Sequence, residues 1–262
     1  MPKKHLHDKF SNKRIIARLD IKGGNVVKPV HTEALRIVGK PRERAELYYK
    51  QGIDEIVYMD IVASLYGRNL DFDLLRSVAE NIFVPLTVGG GIRTIKDINE
   101  ALRSGADKVA INTYAIGNPN FLEKAIHEFG SQCIVLSIEA KKQANGHWEA
   151  YTDGGRERTG VDVVEWARQG IKRGVGELLI TSIDRDGTRQ GYDLDLIKRI
   201  SSLSPIPVIA YGGAGKPEDM GEVIKKARAD AVAAASIFHY DLCSVREIKK
   251  HLNSIGVYTR TL

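Results

Sequence analysis

A chain of 262 residues, 43% hydrophobic and 27% charged, has a soluble globular composition, and its length suits either two ordinary domains or one (β/α)8 barrel. No apolar run approaches the ~18 residues of a membrane span, and no apolar core follows Met1-Pro2-Lys3-Lys4, so a cytoplasmic protein is expected. The formal charge of +6 comes from scattered basic residues with acidic neighbours, which suits a small anionic metabolite better than nucleic acid. Two cysteines (Cys133, Cys243) exclude a disulfide framework, and the seven histidines, with His5 and His7 in an expected frayed tail, show no metal-ligand spacing.

In chain order, short apolar, β-branched runs recur at 14–20, 55–60, 84–88, 108–112, 133–139, 177–183, 206–210 and 231–236. Near-continuous apolar runs of this length indicate strands buried on both faces, as in a parallel sheet. Between and after them, amphipathic stretches predict helices over about 41–51, 71–81, 95–104, 119–129, 161–173, 193–202, 217–228 and 244–254, with Asp97, Pro119, Asp162 and Pro217 as first-turn residues. Eight strands alternating with eight helices predict one α/β domain over 1–262, a single (β/α)8 TIM barrel. An internal repeat refines this. Gly52-Ile53-Asp54-Glu55 matches Gly174-Val175-Gly176-Glu177, Val84-Pro85-Leu86 matches Ile206-Pro207-Val208, and Gly105-Ala106-Asp107 matches Arg228-Ala229-Asp230, all at an offset of 122 or 123. Two similar half-barrels, about 14–130 and 131–258, are expected.

Function in such a barrel belongs at the C-terminal strand ends. Asp20, Asp60, Asn112-Thr113, Glu139, Asp184, Asp186 and Ala235-Ser236 fall there. Gly89-Gly90-Gly91 and Gly212-Gly213-Ala214-Gly215 each join a strand to a helix, either as plain tight turns or as phosphate cradles. Their equivalent places in the repeat favour two phosphate sites and a long substrate phosphorylated at both ends. Asp20 and Glu139, on facing strands, would then act as general acid and base between them, against the plainer reading of salt bridges to Lys22 or Lys141. At the opposite end Arg14, Glu55, Lys108 and Glu177 open strands one, two, four and six. They are either exposed caps of little energetic weight or a ring of ion pairs closing a central passage.

Several runs carry a family resemblance: 14–22 (RIIARLDIK), 88–92 (VGGGI), 105–113 (GADKVAINT), 181–188 (TSIDRDGT) and 212–215 (GGAG). From about 14 to 258 the chain resembles HisF, the cyclase subunit of imidazole glycerol phosphate synthase. The resemblance implies a lyase/cyclase of histidine biosynthesis that needs no cofactor or metal. It would take ammonia from a docked HisH-like glutaminase, as a heterodimer, and convert phosphoribulosyl-formimino-AICAR phosphate to imidazole glycerol phosphate and AICAR. By the same resemblance Asp20 and Glu139 are catalytic. Gly91, Asn112 and Thr113 hold one phosphate, and Asp186, Gly187, Gly213 and Ser236 hold the other. Arg14, Glu55, Lys108 and Glu177 gate the ammonia passage, Asp107 lies at the glutaminase interface, and Lys28 sits on a mobile first loop. Four departures stand out: Glu139 replaces an aspartate, Arg18 a small residue, Tyr211 a small polar one, and the loop 28–33 is not the usual one. They resemble a branch in which a HisF-like ammonia conduit serves, with a HisH-like glutaminase, a sugar amidotransferase of surface-glycan (O-antigen) synthesis. A phosphate-sugar-binding barrel without chemistry is the non-enzymatic reading.

Overall fold

The apolar runs become the staves of a closed barrel. In a computed structural model that describes residues 12–30 and 33–260, strands β1 (Arg14–Lys22), β4 (Glu55–Asp60), β5 (Leu86–Gly89), β6 (Lys108–Ile111), β7 (Ile134–Lys142), β10 (Glu177–Ser182), β11 (Val208–Tyr211) and β12 (Ala231–Ala234) pair in parallel in that order. Arg14 opposite Ala231 joins the last strand to the first, and the β7–β10 pairing bridges the halves. The expected (β/α)8 barrel is the observed one.

Two antiparallel hairpins add to this frame, and the sequence reading did not anticipate either. Strands β2 (Asn25–Val30) and β3 (Glu33–Gly39) follow β1, and β8 (Trp148–Thr152) and β9 (Glu157–Asp162) follow β7. Both rise from the C-terminal ends of facing strands, which places them over the mouth. Helices α1 (Pro41–Lys50), α2 (Phe72–Ala79), α3 (Ile95–Arg103), α5 (Asn120–Phe129), α6 (Val163–Arg173), α7 (Leu194–Leu203), α8 (Pro217–Ala227) and α10 (Val245–Ser254) agree with the predicted stretches to within a few residues. Two short helices, α4 (Thr113–Gly117) and α9 (Ser236–His239), come directly off β6 and β12.

Strand alternation sorts side chains into two cores. Outward residues such as Ile15, Leu19, Ile56, Tyr58, Leu136 and Leu178 pack under the helices. Inward ones (Ile16, Val57, Val135, Leu179, Ile209, Ala231, Ala233) fill the bore. At the barrel's bottom Asp54, Asp107 and Asp230 each accept a bond from the backbone N–H of a neighbouring strand, at Ile15, Leu86 and Val208 (2.9, 2.8 and 2.9 Å). Asp71 and Asp193 cap α2 and α7 through Leu74 and Leu196, both at 3.0 Å. The partners in this last pair, and Asp107 and Asp230, sit at the offset of the sequence repeat, so matched positions make matched bonds.

Candidate active site

Below the apolar bore the four charged strand-openers meet. Arg14 donates to both Glu55 and Glu177, and Lys108 donates to Glu55 (3.1 and 3.2 Å) and Glu177 (3.0 Å). Thr87 Oγ1 adds a bond to Glu55 at 2.7 Å. Both carboxylates are buried. Burial works against the charge of Arg14, but Glu177 and Glu55 outweigh it and hold its pKa above the ordinary guanidinium value. The alternation of two cations and two anions is therefore a closed ring, rather than a set of loose surface caps.

At the other end Asp20 and Glu139 stand on β1 and β7, which lie opposite each other in the strand order. Their surroundings differ in kind. Asp20, 1% exposed, accepts from Arg18 Nε (2.7 Å) and from the Tyr211 hydroxyl (3.3 Å), with Lys28 Nζ at 3.9 Å. Burial alone would raise its pKa, but Arg18 and then Lys28 outweigh it and hold the carboxyl below its usual value. Lys22 and Lys141, the partners of the plainer sequence reading, make neither bond. Glu139 Oε2 accepts from Asn112 Nδ2 (3.0 Å) and from the Gly155 backbone N–H at the tip of the β8–β9 hairpin (2.9 Å). Burial is the largest influence on it, only partly opposed by Arg18 and Gly155, and its pKa rises to about 7.

The glycine turns flank these carboxyls. Gly90, at φ +100°, lies so close to Asp60 that a Cβ would fall 2.1 Å from the Asp60 carbonyl oxygen, and at Gly213 (φ +107°) a Cβ would fall equally close to the carbonyl of Gly191. Only glycine fits either turn. Gly91, Asn112, Thr113, Ser64 and Glu139 line one cleft open to solvent. The Asn112 side-chain oxygen is buried there without a partner, and Thr113 and Asn112 also brace the β8–β9 hairpin through Asp153 N and Tyr151 O. Across the mouth, Asp186 and Gly187 follow β10, with the Asp186 backbone close to Gly212, while Gly213 follows β11 and Ser236 opens α9 after β12. Asp60 is committed elsewhere: it caps the turn at Val62 and Ala63 and pairs with Arg68 at 2.8 Å.

Lys28 lies on β2, 2% exposed, with Nζ 2.8 Å from Asp186 and 3.1 Å from the Tyr211 hydroxyl. His31 and Thr32 of that segment, like His5 and His7, lie outside the described residues. Residue patterning did not name the partners of Arg18. Its guanidinium crosses the bore to Thr181 Oγ1 (3.2 Å) and stacks 4.1 Å from the Tyr211 ring centre. His239 is buried on α9, bonded through Nδ1 to the Tyr48 hydroxyl (2.7 Å), and burial pushes its pKa down to about 4. Cys133 and Cys243 are half-buried free thiols, and no group able to hold a metal ion occurs among the described residues.

The family profile described as histidine biosynthesis protein matches residues 14–244. An imidazole glycerol phosphate synthase subunit HisF from Legionella pneumophila is 60% identical over 210 residues, which is 80% of this chain and 99% of that protein. The chain belongs to the HisF family. HisF-named subunits from Streptococcus mutans (46% identical over 248 residues, 95% of this chain and 99% of the relative) and Clostridium botulinum (49% over 249 residues, 95% and 98%) align over nearly the whole barrel.

Proposed function

We propose that this chain is the cyclase subunit of imidazole glycerol phosphate synthase in histidine biosynthesis. It joins ammonia with phosphoribulosyl-formimino-AICAR phosphate to give imidazole glycerol phosphate and AICAR. The observation that carries the chemistry is the pair of carboxyls on opposite walls, buried Asp20 and half-buried Glu139, with their pKa values pushed apart between two glycine-built turns. Two titratable groups in contrasting environments are the usual means of holding one acid and one base at the same pH. Glu139, protonated up to about pH 7, is suited to give a proton; Asp20, held ionised by Arg18 and Lys28, is suited to accept one or to stabilise positive charge on the substrate.

Backbone N–H groups at Gly91 and at Thr113 on α4 would hold one terminal phosphate, and Gly187, Gly213 and Ser236 on α9 the other, with Asp186 orienting Lys28. Burying a doubly phosphorylated substrate at the mouth fits the positive balance of the chain. The word subunit in the relatives' names supports a partner. A HisH-like glutaminase docked at the barrel's bottom, beside Asp107 and beneath the Arg14–Glu55–Lys108–Glu177 ring, would supply ammonia through the bore.

The test is conversion of phosphoribulosyl-formimino-AICAR phosphate by the purified chain with ammonium salt at high pH. Product formation is expected, and Asp20→Asn should abolish it. A folded wild-type protein that makes no product would sink the cyclase assignment and favour a conduit serving a sugar amidotransferase.

A further inference from the structure

The bore is stacked in storeys between the bottom ring and the mouth. Above the ring lie Ile16, Val57, Val135, Leu179 and Ile209, with only alanines (Ala110, Ala231, Ala233) on β6 and β12. Such a layer offers a cation no partner for the hydration it would shed, so only a neutral molecule would be suited to cross it. Over this layer Arg18 reaches from β1 toward the far side. Its Nε is tied to Asp20, its Nη1 to Thr181 on β10, and its flat face to Tyr211 on β11. Arg18 is 5% exposed, and Asp20 and Tyr211 help hold its pKa above the ordinary guanidinium value against the cost of burial. Tyr211 is held in turn, through its hydroxyl, by Lys28, whose other bond goes to Asp186.

From this crossing we infer that Arg18 and Tyr211 form an inner gate, distinct from the Arg14–Glu55–Lys108–Glu177 ring, which shuts the apolar storey off from the mouth until an anionic substrate draws Lys28 away. The inference rests on the ammonia path proposed above. A phosphate beside Gly187 and Gly213 competes with Asp186 and the Tyr211 hydroxyl for the Lys28 ammonium. Without that bond the tyrosine, and the guanidinium lying on it, lose one anchor. Substrate binding and ammonia passage would thus be coupled through a single lysine, and ammonia would not escape from an empty mouth.

Two variants separate closure from the effect on Asp20. Arg18→Ala and Arg18→Met both remove the Asp20 partner, but only alanine empties the bore. In the complex with the glutaminase partner, at sub-saturating substrate, glutamine consumed per imidazole glycerol phosphate formed is the readout. The wild type and Arg18→Met should stay near one, and Arg18→Ala should rise several-fold as ammonia leaks. Tyr211→Ala should leak likewise, which keeps the test valid if Arg18→Ala does not fold. Equal ratios in the alanine and methionine variants would overturn the gate. A wild type that turns over ammonium well but wastes many glutamines per product would overturn its opening. Absence of ammonium-driven product from the wild type would instead overturn the cyclase reading on which the gate depends.

Discussion

Glu139 is the residue whose environment has the most direct consequence. Its carboxyl binds a proton in the fold up to about pH 7 that an unfolded chain releases near the ordinary glutamate value of 4.5. Because the folded state holds the extra proton, its contribution to stability is present at low pH and falls as pH rises through that window. Glu139→Gln should flatten this part of the pH dependence of Tm. If Glu139 is the acid, the wild-type rate, divided by free ammonia concentration, should drop as pH passes about 7, and the glutamine variant should be slower by roughly 10²–10⁴ and flat across that range. A wild-type rate that climbs through the same range would make Glu139 the base. Asp20 behaves in the opposite sense: its lowered pKa contributes stability above the usual aspartate range that is lost as pH falls through it.

Among the elements, the barrel strands were legible because burial on both faces leaves an unbroken apolar run, as in 55–60 and 177–182. The hairpins were not. Strand β9 reads Glu157–Asp162, exposed to half-buried along its length with Val161 as its one apolar residue, so no apolar run marks it. Its turn, Asp153-Gly154-Gly155, was the available signal, since Asp153 (φ +53°) and both glycines take the left-handed conformation. Alternation from Asp20 places Arg18 inside the bore, but its partners Thr181 and Tyr211 lie far along the chain and no local pattern names them. Helix starts were legible from their caps. Ser244 forms a capping box with Glu247 at the head of α10, and its hydroxyl accepts the Glu247 N–H at 3.2 Å. Ser244→Ala should cost about 1 kcal/mol in urea unfolding and leave ammonium-driven turnover unchanged.

For the whole molecule, matched bonds at Asp107 and Asp230, and at Asp71 and Asp193, support a barrel assembled from two related halves. They also change how the bottom face should be probed. Asp107 accepts the Leu86 N–H at 2.8 Å, so it ties β5 to β6 besides presenting a charge below the barrel. Reversal to lysine would mix the two roles. Asp107→Asn keeps an acceptor and removes the charge, so it should keep the wild-type Tm within a degree or two while reducing co-purification of a glutaminase. Unchanged co-purification would place the docking contacts elsewhere on that face.

The same face holds both ends of the described chain. The Lys13 N–H donates to the Tyr258 carbonyl at 2.7 Å, and Arg260 reaches back to Asp54 and to the Ile53 carbonyl. Covalent order is therefore incidental to the barrel's architecture. A circular permutant joined across this point and reopened at Gly130, so that the second half is synthesised first, should close into the same ring of strands. The described barrel is thus entered and left beneath the bore, at the face where the proposed donor of ammonia would sit.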